Sequence, residues 1–338
     1  MIWAQQAGNV LPNHRFYENQ GIKTETNFYA KGTQRLNNQL SIYVDLQLRT
    51  IDYTVAGEVK GPETFSVEDQ FTFFNPKAGL TYRIADQQQL YFSYAKAQRE
   101  PNRTDYENGS PRPEVLNDFE LGWRAKTDKA EWQANMYWMA YKDQLVLTGA
   151  LDAVGSPIRE NVGNSRRIGL EIEAKFQLGS QWLWQPNIAL SSNKNSDYFF
   201  QRDGVTQELG DTNLSFSPNI IAGNAIIFAP STSFQMGLLS KYVGEQYMGS
   251  IDSENSKLPA YFVSDLNATY TINPKSLVKE MQFSLLVNNI FNKKYESNGY
   301  FYTYDDDFST PGVITTIEGA GYYPQAGTHF LAGIRMLF

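Results

Sequence analysis

The stretch from Leu40 to Arg49 reads Leu-Ser-Ile-Tyr-Val-Asp-Leu-Gln-Leu-Arg. Its even positions are all aliphatic, and its odd positions are Ser, Tyr, Asp, Gln and Arg. Because successive side chains of a β-strand point to opposite faces, this alternation predicts a strand with one apolar face and one polar face.

The same period of two recurs along most of the chain. It predicts thirteen antiparallel strands, at about 22–33, 38–56, 74–84, 88–97, 115–126, 130–146, 165–178, 182–192, 216–229, 231–243, 261–272, 281–288 and 329–338. Any one of these strands would also fit a soluble sheet that packs one face on a protein core. The connections between the strands distinguish the two possibilities.

Short and long connections alternate along the chain. Short turns such as Thr127-Asp128-Lys129 and Gly179-Ser180-Gln181 are followed by much longer segments. The long connections are residues 57–73, 98–114, 147–164, 193–215, 244–260 and 289–328. Transmembrane barrels have short periplasmic turns and long extracellular loops, whereas long loops are uncommon in compact soluble domains. We therefore predict an all-β transmembrane antiparallel barrel, with residues 1–21 as an extracellular loop segment.

The polar strand faces carry charges, as the lining of an enclosed polar lumen requires. The predicted lumen residues are Lys23, Glu25, Lys31, Asp45, Arg49, Lys77, Arg83, Glu120, Arg124, Lys126, Glu171, Glu173, Lys175, Asp265 and Arg335. An open sheet of thirteen strands would leave unpaired backbone groups in hydrocarbon. We therefore expect the chain to be the C-terminal part of a plugged barrel of about 22 strands, with the plug absent.

Composition supports a barrel and excludes other classes. Aromatic residues make up 14% of the chain, as expected for girdles at two membrane interfaces. The net charge of −7 argues against a nucleic-acid partner, and the absence of cysteine excludes disulfides and thiol chemistry. With only two histidines and scattered carboxylates, the sequence predicts neither an enzyme nor a bound cofactor.

Residues 281–338 resemble the C-terminal signature of TonB-dependent outer-membrane receptors. Residues 287–295, Val-Asn-Asn-Ile-Phe-Asn-Lys-Lys-Tyr, are similar to the family's V-x-N-L-F-[DN]-x-x-Y motif, and the chain ends in Phe338. Upstream, Asn75-Pro76-Lys77-Ala78-Gly79-Leu80 and residues 113–123 look like the family's central strands. The resemblance covers nearly the whole chain and is closest to siderophore receptors of Bacteroidetes.

The resemblance implies an outer-membrane receptor for a scarce ligand, most often a ferric siderophore. In that family TonB energises uptake by acting on a plug domain, and neither a TonB box nor a plug is present in this sequence. The barrel-assembly machinery would read the terminal Phe338, and the wall would contact outer-membrane lipid and lipopolysaccharide. Cobalamin, haem and glycans remain alternative ligands, and a passive porin-like or adhesin-like barrel or a secreted carbohydrate-binding or hydrolytic protein remains an alternative function.

Aromatic and basic residues near the long loops are the candidate ligand contacts. Tyr247, Tyr300, Tyr302 and Tyr304 would suit an aromatic chelate, although each would equally suit an interfacial girdle. Arg99 and Arg103 could meet an anionic siderophore, plug carboxylates or lipopolysaccharide phosphates.

Metal-binding patterns are weak. His14 and His329 are too far apart in the sequence to predict a transition-metal site, and a solvated loop residue is the simpler interpretation of His14. Asp305-Asp306-Asp307 matches no EF-hand spacing, so a solvated acidic loop is favoured over a calcium site.

Overall fold

The computed structural model describes residues 18–60, 63–106, 109–151, 157–161, 163–274 and 277–338. These residues fold almost entirely into strands: β1 (Glu18–Arg35), β2 (Leu40–Lys60), β3 (Glu63–Ala85), β4 (Gln88–Arg99), β5 (Glu114–Lys126), β6 (Ala130–Lys142), β7 (Leu145–Leu151), β8 (Pro157–Asn161), β9 (Asn164–Leu178), β10 (Trp182–Arg202), β11 (Val205–Asn213), β12 (Ile220–Ser231), β13 (Phe234–Val243), β14 (Gln246–Tyr247), β15 (Lys257–Leu258), β16 (Tyr261–Ile272), β17 (Glu280–Asn288), β18 (Glu296–Asp306), β19 (Thr315–Pro324) and β20 (His329–Leu337). One short helix, α1 (Arg103–Tyr106), follows β4. Within these ranges, no helix has the length and apolar character needed to cross a membrane.

Thirteen strands form one continuous antiparallel wall. Its order is β1-β2-β3-β4-β5-β6-β9-β10-β12-β13-β16-β17-β20, and β11 pairs with the outer part of β10. Each wall strand pairs with the next wall strand in the chain, so the topology is a meander. The predicted all-β fold and its thirteen strands are confirmed.

The two faces of the wall differ in chemistry. Large apolar side chains project from one face and are widely exposed, including Phe74 (50%), Leu121 (50%) and Met136 (57%). The opposite face carries most of the charged residues and lines a pocket. Because side chains alternate strictly along each strand, the apolar positions of neighbouring strands fall into continuous rows.

The prediction that the long connections are loops is wrong for four of the six. β2 and β3 continue as one long hairpin, and residues 193–213 form the hairpin made by the end of β10 and β11. Two others contain the pairs β7–β8 and β18–β19, whereas the 244–260 connection is mostly irregular and contains only the two-residue pair β14–β15. Backbone groups that pair with each other avoid unmet hydrogen bonds, so these polar segments extend as hairpins.

Smaller differences concern the segment ends. β1 begins at Glu18, so the last four residues of the predicted 1–21 loop are strand. Residues 1–17, including His14, lie outside the described residues. β6 ends at Lys142 rather than residue 146, because Asp143 adopts a positive φ of 55° and turns the chain before β7.

Polar side chains cap the short turns. The Asn37 carboxamide oxygen accepts hydrogen bonds from the backbone of Gln39 (2.8 Å) and Leu40 (2.9 Å). The Thr127 hydroxyl accepts one from Ala130 (3.0 Å). Such local bonds favour tight turns, and they set the strand register. We call this edge of the wall the short-turn end and the opposite edge the hairpin end.

Candidate ligand-binding surface and lumen

The polar face lines an open cavity of about 1300 Å³. Six of the predicted lumen residues line it: Arg83, Arg124, Lys126, Glu173, Lys175 and Asp265. Neutral polar groups such as Gln133, Gln185 and Asn187 lie between them. A cavity of this size and polarity can hold water or a folded polar segment.

Tyrosine rings lie flat across glycines on the lumen face. Tyr91 faces Gly122 on the neighbouring strand, and a Cβ at Gly122 would meet the Tyr91 ring at 2.0 Å. Tyr137 covers Gly169 in the same way, at 2.4 Å. The Arg124 guanidinium lies 5.0 Å from the Tyr91 ring centroid, within cation–π range. These glycines give the rings space, and the alternation pattern alone did not reveal the pairs.

The segment after β4 is anchored to the inner face of the wall. Glu100 forms an ion pair with Lys23 and lies 3.5 Å from the Arg49 guanidinium. Arg49 also pairs with Glu25 at 2.8 Å. Beyond α1, Arg112 donates to the Asp143 carboxylate at 2.7 Å. These contacts tie the predicted loop 98–114 to strands on both sides of it.

The Tyr106 side chain completes this anchoring. Its hydroxyl donates a 2.5 Å hydrogen bond to Asp69 on β3, and its ring lies 6.0 Å from that of Tyr53. Ile51 and Val55, on the same strand as Tyr53, are fully buried, with 1% of each residue exposed. Burial, and then the bond to Asp69, raise the pKa of Tyr106 well above its ordinary value.

The two candidate arginines lie in this region. Arg99, at the end of β4, donates from Nε to the Glu114 carboxylate at 2.7 Å and leaves 55% of its side chain exposed. Glu114 also accepts a 2.6 Å bond from the backbone of Leu145. Arg103 begins α1 and is half-buried. Both arginines therefore belong to the β1–β5 half of the sheet.

The hairpins of the other half pack on one another. A hydrophobic core joins Tyr198 of β10, Phe301 of β18 and the 244–260 connection, which contributes Met248, Ile251 and Leu258. Gly249 and Gly299 allow this close approach, since a Cβ at Gly249 would meet the Phe301 ring at 2.6 Å. Met248 and Phe301 are therefore packing residues.

Three candidate tyrosines form one row on the other face of β18. The ring centroids of Tyr300 and Tyr302 are 6.3 Å apart, and those of Tyr302 and Tyr304 are 6.4 Å apart. The rings are nearly parallel, at 17° and 15°. Tyr300 and Tyr304 are each about half exposed, at 49% and 48%. We call Tyr300, Tyr302 and Tyr304 the tyrosine row.

Glycines of β19 support the tyrosine row. Tyr300 lies opposite Gly321 and Tyr302 lies opposite Gly319. A Cβ at either glycine would meet the paired ring at about 2.4 Å or less. The signal in the sequence is Tyr-x-Tyr-x-Tyr on one strand and Gly-x-Gly on the next, which places aromatic rings over bare backbone.

Glu318, which directly precedes Gly319 in the sequence, ties three connections together. Its carboxylate accepts bonds from Arg202 (2.6 Å), Asn255 (3.0 Å) and Ser253. These donors come from the end of β10 and from the 244–260 connection. Burial alone would raise the pKa of Glu318, but the bonds from Ser253, Arg202 and Asn255 outweigh it and hold the pKa below its ordinary value. We call this arrangement the Glu318 clasp, which the sequence did not predict.

The remaining candidates are dispersed. The Tyr247 ring faces the Lys257 ammonium at 5.3 Å. Tyr295 stacks on Tyr261 with centroids 4.4 Å apart and lines the cavity. Asp306 caps a turn by accepting from the backbone of Ser309 at 3.0 Å, and the described residues contain no group of three or more metal-ligating side chains of the His, Cys, Asp or Glu types.

The fold and the two wall faces define the class of protein. Thirteen antiparallel strands carry an apolar face on one side and a charged cavity on the other. A sheet with these two faces is the wall of a transmembrane β-barrel.

Residues 3–290 match a family model described as the TonB dependent receptor-like β-barrel. The match covers most of the chain, so this chain belongs to the TonB-dependent receptor β-barrel family. Proteins of this family are outer-membrane proteins of Gram-negative bacteria and act as receptors or transporters. The predicted outer-membrane location and the family resemblance are confirmed.

Curated relatives are ferric-pyoverdine, catecholate siderophore or pesticin receptors by name. The ferric-pyoverdine 358 receptor of Pseudomonas putida is 25% identical over 227 residues, which are 65% of this chain and 26% of that protein. The catecholate siderophore receptor Fiu of Escherichia coli strain UTI89 is 22% identical over 73% of this chain and 33% of its own length. The pesticin receptor of Yersinia enterocolitica is 25% identical over 54% of this chain. The matched region thus spans about a quarter to a third of these relatives.

Solved structures share the fold. The siderophore receptor PiuA from Acinetobacter baumannii superposes with a TM-score of 0.71 at 14% identity, covering 94% of this chain and 44% of that one. The copper transporter OprC superposes with a TM-score of 0.69 at 18% identity, covering 93% and 48%.

Proposed function

We propose that the full-length protein is a receptor for TonB-energised uptake of a ferric siderophore. The observation that carries this proposal is the tyrosine row, which is held rigidly at the hairpin end by its glycines and by the Glu318 clasp. Exposed, parallel phenol rings suit stacking against a planar aromatic chelate. The names of the curated relatives support the same ligand class.

The orientation of the wall follows from this role. The short-turn end lies in the periplasm and the hairpin end outside the cell, as in other barrels of the outer membrane. These thirteen strands contribute to a closed barrel of about 22 strands, and a plug domain fills the cavity lined by Arg124 and Glu173. TonB acts on that plug, and the barrel-assembly machinery recognises the last strand, β20, together with Phe338, which follows it.

The ligand first meets the hairpin end. Tyr300, Tyr302 and Tyr304 supply the stacking surface, and Tyr247 extends the aromatic character of the neighbouring connection. Arg99 and Arg103 lie on the other half of the sheet and would attract an anionic chelate across the mouth. The exposed side chain of Arg99 makes it the better placed of the two arginines.

Binding measurements on the full-length receptor test the proposal. Wild type and Tyr300→Ala/Tyr302→Ala are titrated with ferric catecholate, ferric hydroxamate and ferric citrate complexes, with protein fluorescence as the readout. Removing two stacking rings is expected to weaken binding of one complex by about 5-fold to 150-fold, at about 0.5–1.5 kcal/mol for each ring. Tyr270→Ala, on the apolar outer face, is the control. Equal affinities for all variants would remove the tyrosine row from the binding site.

A further inference from the structure

We propose that a basic cluster on the outward wall face binds the phosphate groups of a glycolipid in the outer leaflet. The cluster comprises Lys96, Lys142, Arg166 and Lys194, on β4, β6, β9 and β10. The proposal rests on the orientation given above, in which the hairpin end is extracellular. The four residues of the cluster belong neither to the lumen face nor to the tyrosine row.

The strand register brings the four cations together. Arg166 lies directly opposite Lys194. Lys96 is in the same row. It pairs with Asn117, which pairs with Ala140, which in turn pairs with Arg166. Lys142 lies two residues beyond Ala140 on β6 and so projects from the same face.

These residues face the membrane rather than the lumen. Gln133, Glu173 and Gln185 line the cavity from odd positions of β6, β9 and β10. Lys142, Arg166 and Lys194 occupy even positions of the same strands and therefore point to the apolar side. Ile168, next below Arg166 on that side, is 47% exposed.

The charge distribution on the outward face is one-sided. Along β4, β5, β6, β9 and β10 up to Ser196, the outward positions hold only these four charged residues, and all are basic. They lie at the hairpin end. The short-turn end of the same strands carries aromatic side chains instead, such as Trp132, Phe176 and Trp182.

Like charges placed directly opposite one another destabilise a sheet. Arg166 is partly balanced, because it pairs with Asp211 at 2.5 Å and donates to Ser196 at 3.1 Å. Lys142 and Lys194 form no ion pair with any carboxylate in the described part of the chain. The cluster therefore carries excess positive charge that an external anion would offset.

Height along the wall places the cluster at the lipid headgroups. Lys194 is twelve residues above Trp182 on β10, about 40 Å along the strand. For a strand tilted by about 45°, that length corresponds to a height of about 28 Å across the membrane. Lys194 then lies just beyond an apolar band of about 25 Å. Directly below the cations, three aromatic rings pack together. The ring centroids of Phe119 and Trp138 are 5.4 Å apart, and those of Tyr94 and Phe119 are 4.9 Å apart. Aromatic rings below cations match the boundary between acyl chains and anionic headgroups.

The occupant is a membrane lipid because the cluster continues an apolar, lipid-facing surface. Its phosphates would be the phosphates of lipid A. Full-length protein in detergent is titrated with bisphosphorylated lipid A and monitored by native mass spectrometry. Lys142→Gln/Arg166→Gln/Lys194→Gln is expected to bind about 100-fold more weakly, since each cation near an anionic surface contributes about fivefold. Lys142→Arg/Lys194→Arg should retain wild-type binding.

The charge-matched control is Lys31→Gln/Lys77→Gln/Lys129→Gln, which removes three cations from lumen and turn positions. Unchanged lipid A binding by the first triple variant, or equal loss in the control, would overturn the proposal. If inorganic phosphate bound wild type tightly and the first triple variant weakly, the cluster would be a site for a free anion. That result would also overturn the proposal. The affinity of wild type for dephosphorylated lipid A should be as low as the affinity of the first triple variant for bisphosphorylated lipid A.

Orientation is tested separately. This chain contains no cysteine, so single Phe308→Cys and Asp128→Cys variants each add one thiol within it, and the unsubstituted receptor is the labelling blank. On intact cells, a membrane-impermeant maleimide should label Phe308→Cys, at the hairpin end, and not Asp128→Cys, in a short turn. The reverse labelling would refute the proposed function's orientation, whatever the lipid A titrations give.

Discussion

The Glu318 carboxylate on β19 accepts a hydrogen bond from the Arg202 guanidinium on β10 at 2.6 Å, across 116 residues of sequence. The two side chains are mostly enclosed, with 12% of Glu318 and 33% of Arg202 exposed. Asn255 adds a second donor from a third connection. One carboxylate therefore couples three hairpin-end segments that the wall holds on different strands, and the tyrosine row depends on their relative positions.

Replacing Glu318 by Gln is expected to loosen the hairpin end and leave the wall intact. Hydrogen bonds to charged groups contribute about 1.5–3 kcal/mol, and Arg202 would keep its charge without a counter-ion. Hydrogen–deuterium exchange should rise in residues 296–324 and 246–258. Glu254→Gln is the matched control, because its pair with Lys257 leaves 78% of Glu254 exposed and exposed pairs stabilise little. Equal exchange in both variants would refute the clasp.

The clasp should also respond to acid. Its hydrogen bonds hold the Glu318 pKa below the ordinary glutamate value of 4.5, so the unfolded segment binds a proton more readily than the folded one. The stability it contributes is complete above that value and is lost as pH falls through the lowered pKa. Exchange in residues 296–324 should therefore increase below about pH 4.5 in wild type. The Glu318→Gln variant should show a smaller pH dependence.

Substituting alanine at Gly319 should disturb ligand binding without removing any phenol. The new Cβ would meet the Tyr302 ring at 2.3 Å, so the ring must leave its place over β19. Weaker binding of the ferric complex recognised by wild type is expected, with folding retained. Gly32→Ala, where nothing lies within 4 Å of the added carbon, should bind normally. Normal binding by Gly319→Ala would mean that the ring position is unimportant.

Truncating Phe301 to alanine should open the hairpin core. Phe301 is 6% exposed and packs with Met248, Ile251 and Leu258. Phe-to-Ala changes at such sites cost about 3–5 kcal/mol. Limited proteolysis is expected to cut residues 244–260 much faster than in wild type, whereas Phe308→Ala, at a 74% exposed position, should leave the rate unchanged. Protection of 244–260 in the Phe301 variant would show that this core does not hold the connection.

Changing Tyr106 to Phe should free the segment after β4. The variant loses the 2.5 Å bond to Asp69 and leaves that carboxylate without its phenol donor, at a cost of about 1–3 kcal/mol. Exchange should increase in residues 100–106 and remain low in β3. In an alkaline titration followed by tyrosine absorbance, Tyr106→Phe should have one phenol fewer than wild type that ionises well above pH 10, while Tyr198, whose pKa burial raises to about 12, should titrate equally in both.

The wall strands were predictable because their signal is local. Alternation from Leu40 to Arg49 predicts which side chains share a face. Turn residues such as Asn37 and Thr127 indicate where the chain reverses direction. The lumen residues Arg83, Arg124 and Glu173 followed from the same alternation and line the cavity. The hairpins beyond the apolar band were mistaken for loops, because strands in water on both faces need no alternation of apolar and polar residues.

The candidate site was only partly predictable. Tyr300, Tyr302 and Tyr304 were singled out by composition, and the spacing of two already placed them on one strand face. Their support by Gly319 and Gly321 depends on the β18–β19 register, which the turn between these strands sets.

Backbone sterics alone make successive side chains of an extended chain point in opposite directions, so the order of residues decided which face of the wall is apolar and which is charged. No such rule relates residues in separate connections. The Arg202–Glu318 pair, the burial of Met248 against Phe301, and the alignment of Arg166 with Lys194 each required the neighbouring strands to be in place. Those contacts exist because paired backbones bring distant segments within a few ångströms, and only the folded sheet does so.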